Sequence, residues 1–392
     1  MKRGAVMDGG QAIGIVASVG VGIVGLLATT AAHLKGSLSK QLGLGNPQIT
    51  GLWSALYLAL LPMLLLWGVA VDTYHVKNVM ILGSLLSTLG IFGITLRRSY
   101  PYALAFIALS GIGVGALGIA SLVLAARTPD AKPAAALSLS LLFLTLGMLA
   151  GPWIVRPMMR RLEFKRTLCI LALLCLVPGA LIAPFDIPGA NAPVEEVELF
   201  ESVPFWMMVF LVFLYPALEA TCATWTVPYL KHLGLPDRKA FTWLAGFWIA
   251  FLAARLVLIS LFQRCPEGRI DRPWVIFSMG LALAIVAGNL GGSAHRTRAS
   301  FGLLLLGAAL GPLLPTLLAT AFRHAGPTPG TAVGTLAAAA FLGFVVLAPA
   351  SDAYTRRNLP QYAWRMLALL AVIMTFLALV MALTSSAVQV RR

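Results

Sequence analysis

Twelve apolar runs, each long enough to cross a bilayer, follow one another along this chain at residues 11–33, 49–71, 79–96, 101–126, 133–155, 167–183, 204–229, 240–262, 274–290, 301–322, 331–350 and 362–383. A helix rises about 1.5 Å per residue, so roughly 20 apolar residues cover the hydrocarbon core. Inside that core the backbone has no water to bond to, and runs of this length suit helices rather than alternating barrel strands. The sequence therefore predicts an all-α polytopic membrane protein with twelve transmembrane helices. With 392 residues, 59% hydrophobic and only 11% charged, little chain remains for a soluble domain, and an ordinary soluble enzyme is excluded.

One connection is long and polar. After the sixth run comes Asp186-Ile187-Pro188-Gly189, then Glu195, Glu196, Glu198 and Glu201. It divides the chain into an N-terminal six-helix bundle at 1–183, an acidic loop at 184–203 and a C-terminal six-helix bundle at 204–392, as expected where two bundles rock about a central site. The opening Lys2-Arg3 and the apolar run after it read as a retained first helix rather than a cleaved leader, because that run is full length and eleven more follow.

The net charge is +15, from 29 Lys and Arg against 14 Asp and Glu. The bases fall in short loops, so they read as contacts to lipid headgroups and as orientation signals, with no nucleic-acid partner expected. Twelve spans put both termini on one side. With the termini cytoplasmic, the cytoplasmic segments carry Lys2, Arg3, Lys77, Arg127, Lys132, Arg264, Arg269, Arg272, Arg323, Arg391 and Arg392. The opposite side carries more, led by Arg156, Arg160, Arg161, Lys165 and Arg166, so the positive-inside rule taken alone favours termini outside. Cys169, Cys175, Cys222 and Cys265 form no CxxC pair and read as structural thiols.

Glu219 is the only acidic residue inside any of the apolar runs. A carboxylate at bilayer depth is costly unless paired, hydrated or protonated, which makes it a functional candidate. Tyr215, Glu219, Cys222 and Thr226 follow at helical spacing and mark one polar face. Arg255 is the only deep base, with Trp248 seven residues before it. Counted from the connecting loop, Glu219 lies about 15 Å and Arg255 about 22 Å deep, a gap an arginine side chain spans. One reading is a switchable Glu219 tuned by Arg255; the other is a fixed ion pair that holds two helices together. Trp225 and Trp248 are candidate stacking surfaces, and Tyr57 and Thr29 candidate hydrogen-bonding groups. His33 is placed at the interface, with no second metal ligand at helical spacing.

Two runs contain helix breakers. Gly147 to Pro152 offers two small residues and a proline, and Gly311-Pro312-Leu313-Leu314-Pro315-Thr316 predicts a bend or local unwinding in mid-membrane. No P-loop, HExxH or GxSxG is present, so neither ATP-driven transport nor hydrolysis has support.

Between the second and third runs, Gly68, Asp72 and Lys77 resemble the loop signature of the major facilitator superfamily, although Thr73, His75 and Asn78 depart from it. Asp72 is expected to cap a helix start and to pair with a base such as Arg127. Tyr215, Glu219, Trp225 and Tyr229, then Phe247-Trp248 and Arg255, together with Gly311-Pro312 and Pro315-Thr316, are similar to the fucose–galactose–glucose symporter branch, which includes the sodium-dependent glucose transporters. The resemblance implies the major facilitator fold, alternating access, and both termini in the cytoplasm of a bacterial inner membrane. Gly68, Asp72, Lys77 and Arg127 would act in conformational gating, and sodium or a proton would be the coupling ion. Proton-coupled fucose members carry acids in the first and fourth spans; here those spans have none, so coupling should run through Glu219.

The expected function is secondary transport of a small polar solute, most simply a hexose-like sugar, by a monomer with no cofactor or metal. Glu219, Arg255, Trp225, Trp248, Tyr215, Tyr57 and Thr29 would form the binding site. Two alternatives are an organic-anion exporter or antiporter using Arg255, and a non-transporting receptor on a transporter fold. A membrane enzyme ranks last, since one carboxylate and one arginine offer no reaction centre.

Overall fold

The computed structural model describes residues 10–128, 132–187, 199–265, 272–292 and 295–384, and the backbone alone at residues 9, 198 and 385–390; within these, 31–33 and 35 are also described by backbone alone. Lys2, Arg3, Glu195, Glu196, Arg269, Arg391, Arg392 and the side chain of His33 lie outside the described residues. The described chain is helical, and twelve helical segments are long and apolar enough to cross a membrane.

The helices are α1 (Gly9–Leu42), α2 (Asn46–Thr73), α3 (Val76–Gly93), α4 (Tyr100–Arg127), α5 (Pro133–Arg161), α6 (Phe164–Ile182), α7 (Val203–His232), α8 (Asp237–Arg264), α9 (Arg272–Gly292), α10 (Arg296–Leu310), α11 (Leu313–His324), α12 (Pro329–Arg356) and α13 (Gln361–Val390). α10 and α11 together form the tenth span, broken at Gly311-Pro312 as the sequence predicts. Several helices outrun their apolar stretches: α1 continues past residue 33 to Leu42 and carries Lys35 and Lys40 on its last turns. Basic side chains can extend into the headgroup layer, so a helix need not end where the apolar run ends. α7 stops at Gly234, whose φ of +82° lets the Leu235 N–H close back on the carbonyl of Leu230.

Contacts group the chain into two units. One comprises Met1–Glu196 with Ala325–Thr335, the other Val197–His324 with Leu336–Arg392. The first thus takes in the connection between α11 and α12 and the first turns of α12.

In the first unit small residues set the helix spacing. A Cβ on Gly25 would overlap the carbonyl of Leu144, and one on Gly147 the carbonyl of Gly22, so α1 and α5 touch backbone to backbone. Gly151 faces the Thr29 hydroxyl in the same way. The helix runs unbroken through Pro152 and Pro157. Without a hydrophobic force between helices in lipid, such close van der Waals contact is what holds them. α3 meets α4 at Gly90 and Gly113, and α6 at Gly179 against Ser84.

In the second unit Gly307 and Gly311 of the tenth span lie against the carbonyls of Phe247 and Phe251 of α8. Trp364 of α13 is fully buried and meets Tyr229 of α7 edge-on at 5.3 Å between centroids. The Tyr229 hydroxyl donates to the Leu290 carbonyl of α9 at 2.7 Å, so this tyrosine pegs three helices together.

Candidate functional site

The break in the tenth span creates the acceptor around which the site in the second unit is built. In an uninterrupted helix the Gly311 carbonyl would accept from the N–H of residue 315, but that residue is proline and has no N–H. Arg255 takes its place: its Nε–H donates to the Gly311 carbonyl at 2.7 Å. The guanidinium lies 4.4 Å from the centroid of Phe251, a cation–π contact one turn earlier on α8, and its Nη2 reaches the Tyr215 hydroxyl at 3.4 Å. Arg255 is 2% exposed.

Glu219 completes the group from α7. Its carboxylate lies next to the Tyr215 hydroxyl, one turn earlier, and in the field of Arg255. Tyr215 is buried, whereas Glu219 retains partial exposure. A buried cation satisfied by a carbonyl, a ring and a phenol therefore stands beside the carboxylate of Glu219, a residue that is only partly buried. Such a carboxylate can exchange a proton or ion, or accept hydrogen bonds from a solute, without the arginine leaving its place.

Trp225 and Trp248 are half-buried. Trp248 packs edge-on against Phe247 and Phe251, at 5.1 and 5.3 Å between centroids, which ties it to the ring beneath Arg255. The indole N–H of Trp225 is buried with no hydrogen-bond partner among the described residues. Thr226 and Thr221, on the same helix, bond the carbonyls of Cys222 and Ala217 one turn back, and Thr221 also meets Ser351 of α12 at 3.1 Å. Tyr57 and Thr29 belong to the first unit; Tyr57 is half-buried, and the Thr29 hydroxyl donates to the Leu26 carbonyl at 3.2 Å.

A second cluster, in the first unit, gathers three of the four residues expected to gate. Asp72, 5% exposed, accepts from the Gly330 N–H at 2.8 Å and from the Thr331 N–H and hydroxyl at 2.6 and 2.9 Å; Arg127 Nη2 pairs with it at 3.0 Å. Asp72 lies in the last turn of α2 and caps a helix start as expected, but the helix is α12; α3 has no side-chain cap. The carboxylate thus sits where the α12 backbone presents free N–H groups and the positive end of its dipole. Gly68 lets the two helices approach, since a Cβ there would stand 2.7 Å from the Gly330 carbonyl and 3.0 Å from the Gly334 Cα. Lys77 points elsewhere: its Nζ donates to the Phe185 carbonyl at 2.7 Å, after α6.

Reading the sequence for charged and polar groups missed the residues that receive them. Gly330 and Gly334 repeat the small-xxx-small spacing that marks a close helix contact, as do Gly307 and Gly311. That spacing was the available signal, and it points to contact without identifying the partner helix.

Comparison with known proteins agrees with this architecture. Residues 12–348 match the family model described as Major Facilitator Superfamily. A search of curated protein sequences gives no match. Among solved structures, the chain is similar to a major facilitator transporter, FucP, in the outward conformation, with a TM-score of 0.73 and 16% identity over 93% of this chain and 98% of that one. A variant of the E. coli fucose:proton symporter FucP gives 0.74 at 16% identity, covering 94% and 99%. The proton:xylose symporter XylE bound to 6-bromo-6-deoxy-D-glucose gives 0.71 at 13%, covering 93% and 94%. At these identities the structural likeness establishes the fold, and the family match spans most of the chain. This protein belongs to the Major Facilitator Superfamily and is a multi-pass membrane transporter.

Proposed function

We propose that this secondary transporter moves a small polar solute, a hexose-like sugar, by alternating access, with Glu219 as its coupling or substrate-binding carboxylate. The observation that carries the reading is Glu219, a partly buried acid at membrane depth, grouped with Tyr215 and the buried Arg255. Trp225 contributes an indole N–H with no partner among the described residues, and Trp248 an apolar ring; both suit a solute with hydroxyls on its edges and C–H groups on its faces. Arg255 already donates to Gly311 and is sealed from solvent, which favours this reading over an anion carrier that would need it as a contact. The Asp72 cluster, with Gly68 and Arg127, would open and re-form during the cycle. Both termini are assigned to the cytoplasm of a bacterial inner membrane, and the protomer is taken as the working unit.

The test is uptake into proteoliposomes by wild type and Glu219→Gln, with sodium and proton gradients imposed separately. Gradient-driven accumulation of a hexose that Glu219→Gln abolishes, while exchange down a concentration gradient persists, is the expected result. Unchanged accumulation by the variant would remove Glu219 from coupling, and transport of organic anions in place of neutral sugars would overturn the substrate class.

A further inference from the structure

The two-residue turn between α5 and α6 carries charge that the protein itself leaves unanswered. Arg156, Arg160, Arg161, Lys165 and Arg166 fall within eleven positions with a single acid, Glu163, and all five bases are exposed. None of them makes an ion pair or hydrogen bond through its side chain among the described residues. Arg160 and Arg161 lie in the last turn of α5, where the helix dipole favours cations. Lys165 and Arg166 lie in the first turn of α6, where it opposes them; the one acid there, the N-cap Glu163, is exposed and makes no side-chain cap hydrogen bond, and one carboxylate does not balance five bases. Two exposed cations at the unfavourable end of a helix, beside three more, call for an anion from outside the chain.

The surroundings indicate which anion. Leu162, Glu163, Lys165, Arg166, Cys169 and Ile170 line an open hollow of about 440 Å³. From Arg166 the exposed face of α6 continues into the membrane as Ile170, Leu173 and Val177. On α5, Trp153, 84% exposed, precedes Arg156 and Arg160 on one helical face, so an interfacial indole leads from the apolar layer to the bases. A cationic rim continuous with an apolar stripe matches a molecule that has a phosphate at one end and acyl chains at the other.

We infer that the α5–α6 turn is a binding site for an anionic phospholipid, whose phosphate is held by Arg160, Arg161, Lys165 and Arg166 and whose acyl chain lies along Ile170, Leu173 and Val177. The site is in the first unit, apart from the Glu219 group, and is independent of the solute transported.

The test is native mass spectrometry of the detergent-solubilised full chain with added diphosphatidylglycerol, phosphatidylglycerol or phosphatidylcholine, and with soluble glycerol phosphate as competitor. Anionic lipids should be retained in preference to phosphatidylcholine. Arg160→Gln/Arg161→Gln/Lys165→Gln/Arg166→Gln should weaken that retention by about 100-fold or more, as expected for removing four bases near an anionic headgroup. Arg97→Gln/Arg98→Gln/Arg238→Gln/Lys239→Gln, which removes equal exposed charge elsewhere, should retain them as wild type does. If the fourfold variant does not elute as a folded protein, the two halves, Arg160→Gln/Arg161→Gln and Lys165→Gln/Arg166→Gln, provide the same comparison with partial loss expected from each. Equal retention of phosphatidylcholine, equal loss in the control variant, or displacement of the lipid by glycerol phosphate at comparable concentration would each overturn the assignment, the last by pointing to a free phosphate ester.

Discussion

Arg255 donates its Nε–H to the carbonyl of Gly311, the acceptor that Pro315 leaves without a backbone donor. The arginine thereby repairs a helix break and, through the same guanidinium, reaches Tyr215 and charges the surroundings of Glu219. Arg255→Met should destabilise the protein by about 3–5 kcal/mol, the usual cost of removing one member of a buried charged group. Pro315→Ala restores an N–H to the acceptor, so the double variant should lose less than the sum of the single losses, with a coupling of about 1 kcal/mol. Thermal unfolding followed by size-exclusion measures both; strict additivity would show that the Gly311 contact contributes nothing to the role of Arg255.

The Asp72 cluster yields a ranking. Asp72→Ala leaves the Gly330 and Thr331 N–H groups and Arg127 without their acceptor, and should cost about 3–5 kcal/mol. Asp72→Asn keeps one acceptor oxygen and should cost less. Arg127→Gln, with about a quarter of its side chain in solvent, should cost least, near 1 kcal/mol. The order of the three unfolding midpoints decides the matter, and a larger loss from Arg127→Gln than from Asp72→Ala would mean that the ion pair, rather than the helix cap, dominates.

Glycines in these spans separate into packed and idle positions. Gly68→Ala places a methyl 2.7 Å from the Gly330 carbonyl and should lower the unfolding midpoint, because backbone on both sides has to move. Gly288→Ala meets nothing within 4 Å and should be neutral or stabilise α9 by up to about 1 kcal/mol. Parallel thermal scans of the two variants would expose an error in the α2–α12 approach if both behaved alike.

The number and places of the spans were legible because the bilayer imposes one length on every apolar run. The break at Gly311-Pro312 was legible for a similar reason, since proline acts on its own helix. What the sequence left open were pairings between distant positions. Asp72 showed itself as a capping residue, yet nothing near it in the chain indicated Gly330 and Thr331, and Lys77 resembled a gating base but bonds the Phe185 carbonyl. Glu219 and Arg255 stood out as the only deep charges in the apolar runs, whereas the roles of Tyr215 and Gly311 between them depend on how α7, α8 and the tenth span pack. Glycine pairs at a spacing of four carried part of that packing information without naming the facing helix.

Tyr215 provides the sharpest test of whether Glu219 works alone. Its hydroxyl accepts from the guanidinium and neighbours the carboxylate, so Tyr215→Phe takes that polar group from both while keeping the ring that fills the space. A hydrogen bond to a charged group contributes about 1.5–3 kcal/mol, which corresponds to roughly a 10- to 100-fold loss of gradient-driven uptake if that bond sets the state of Glu219. Exchange of solute without a gradient should fall less. In the Glu219→Gln background the same substitution should have little further effect, because the group it positions is already gone. Solute exchange, which persists in Glu219→Gln, measured in proteoliposomes for wild type, the two single variants and the double variant closes this cycle. Additive losses would show that Tyr215 acts on the solute directly and not through the carboxylate.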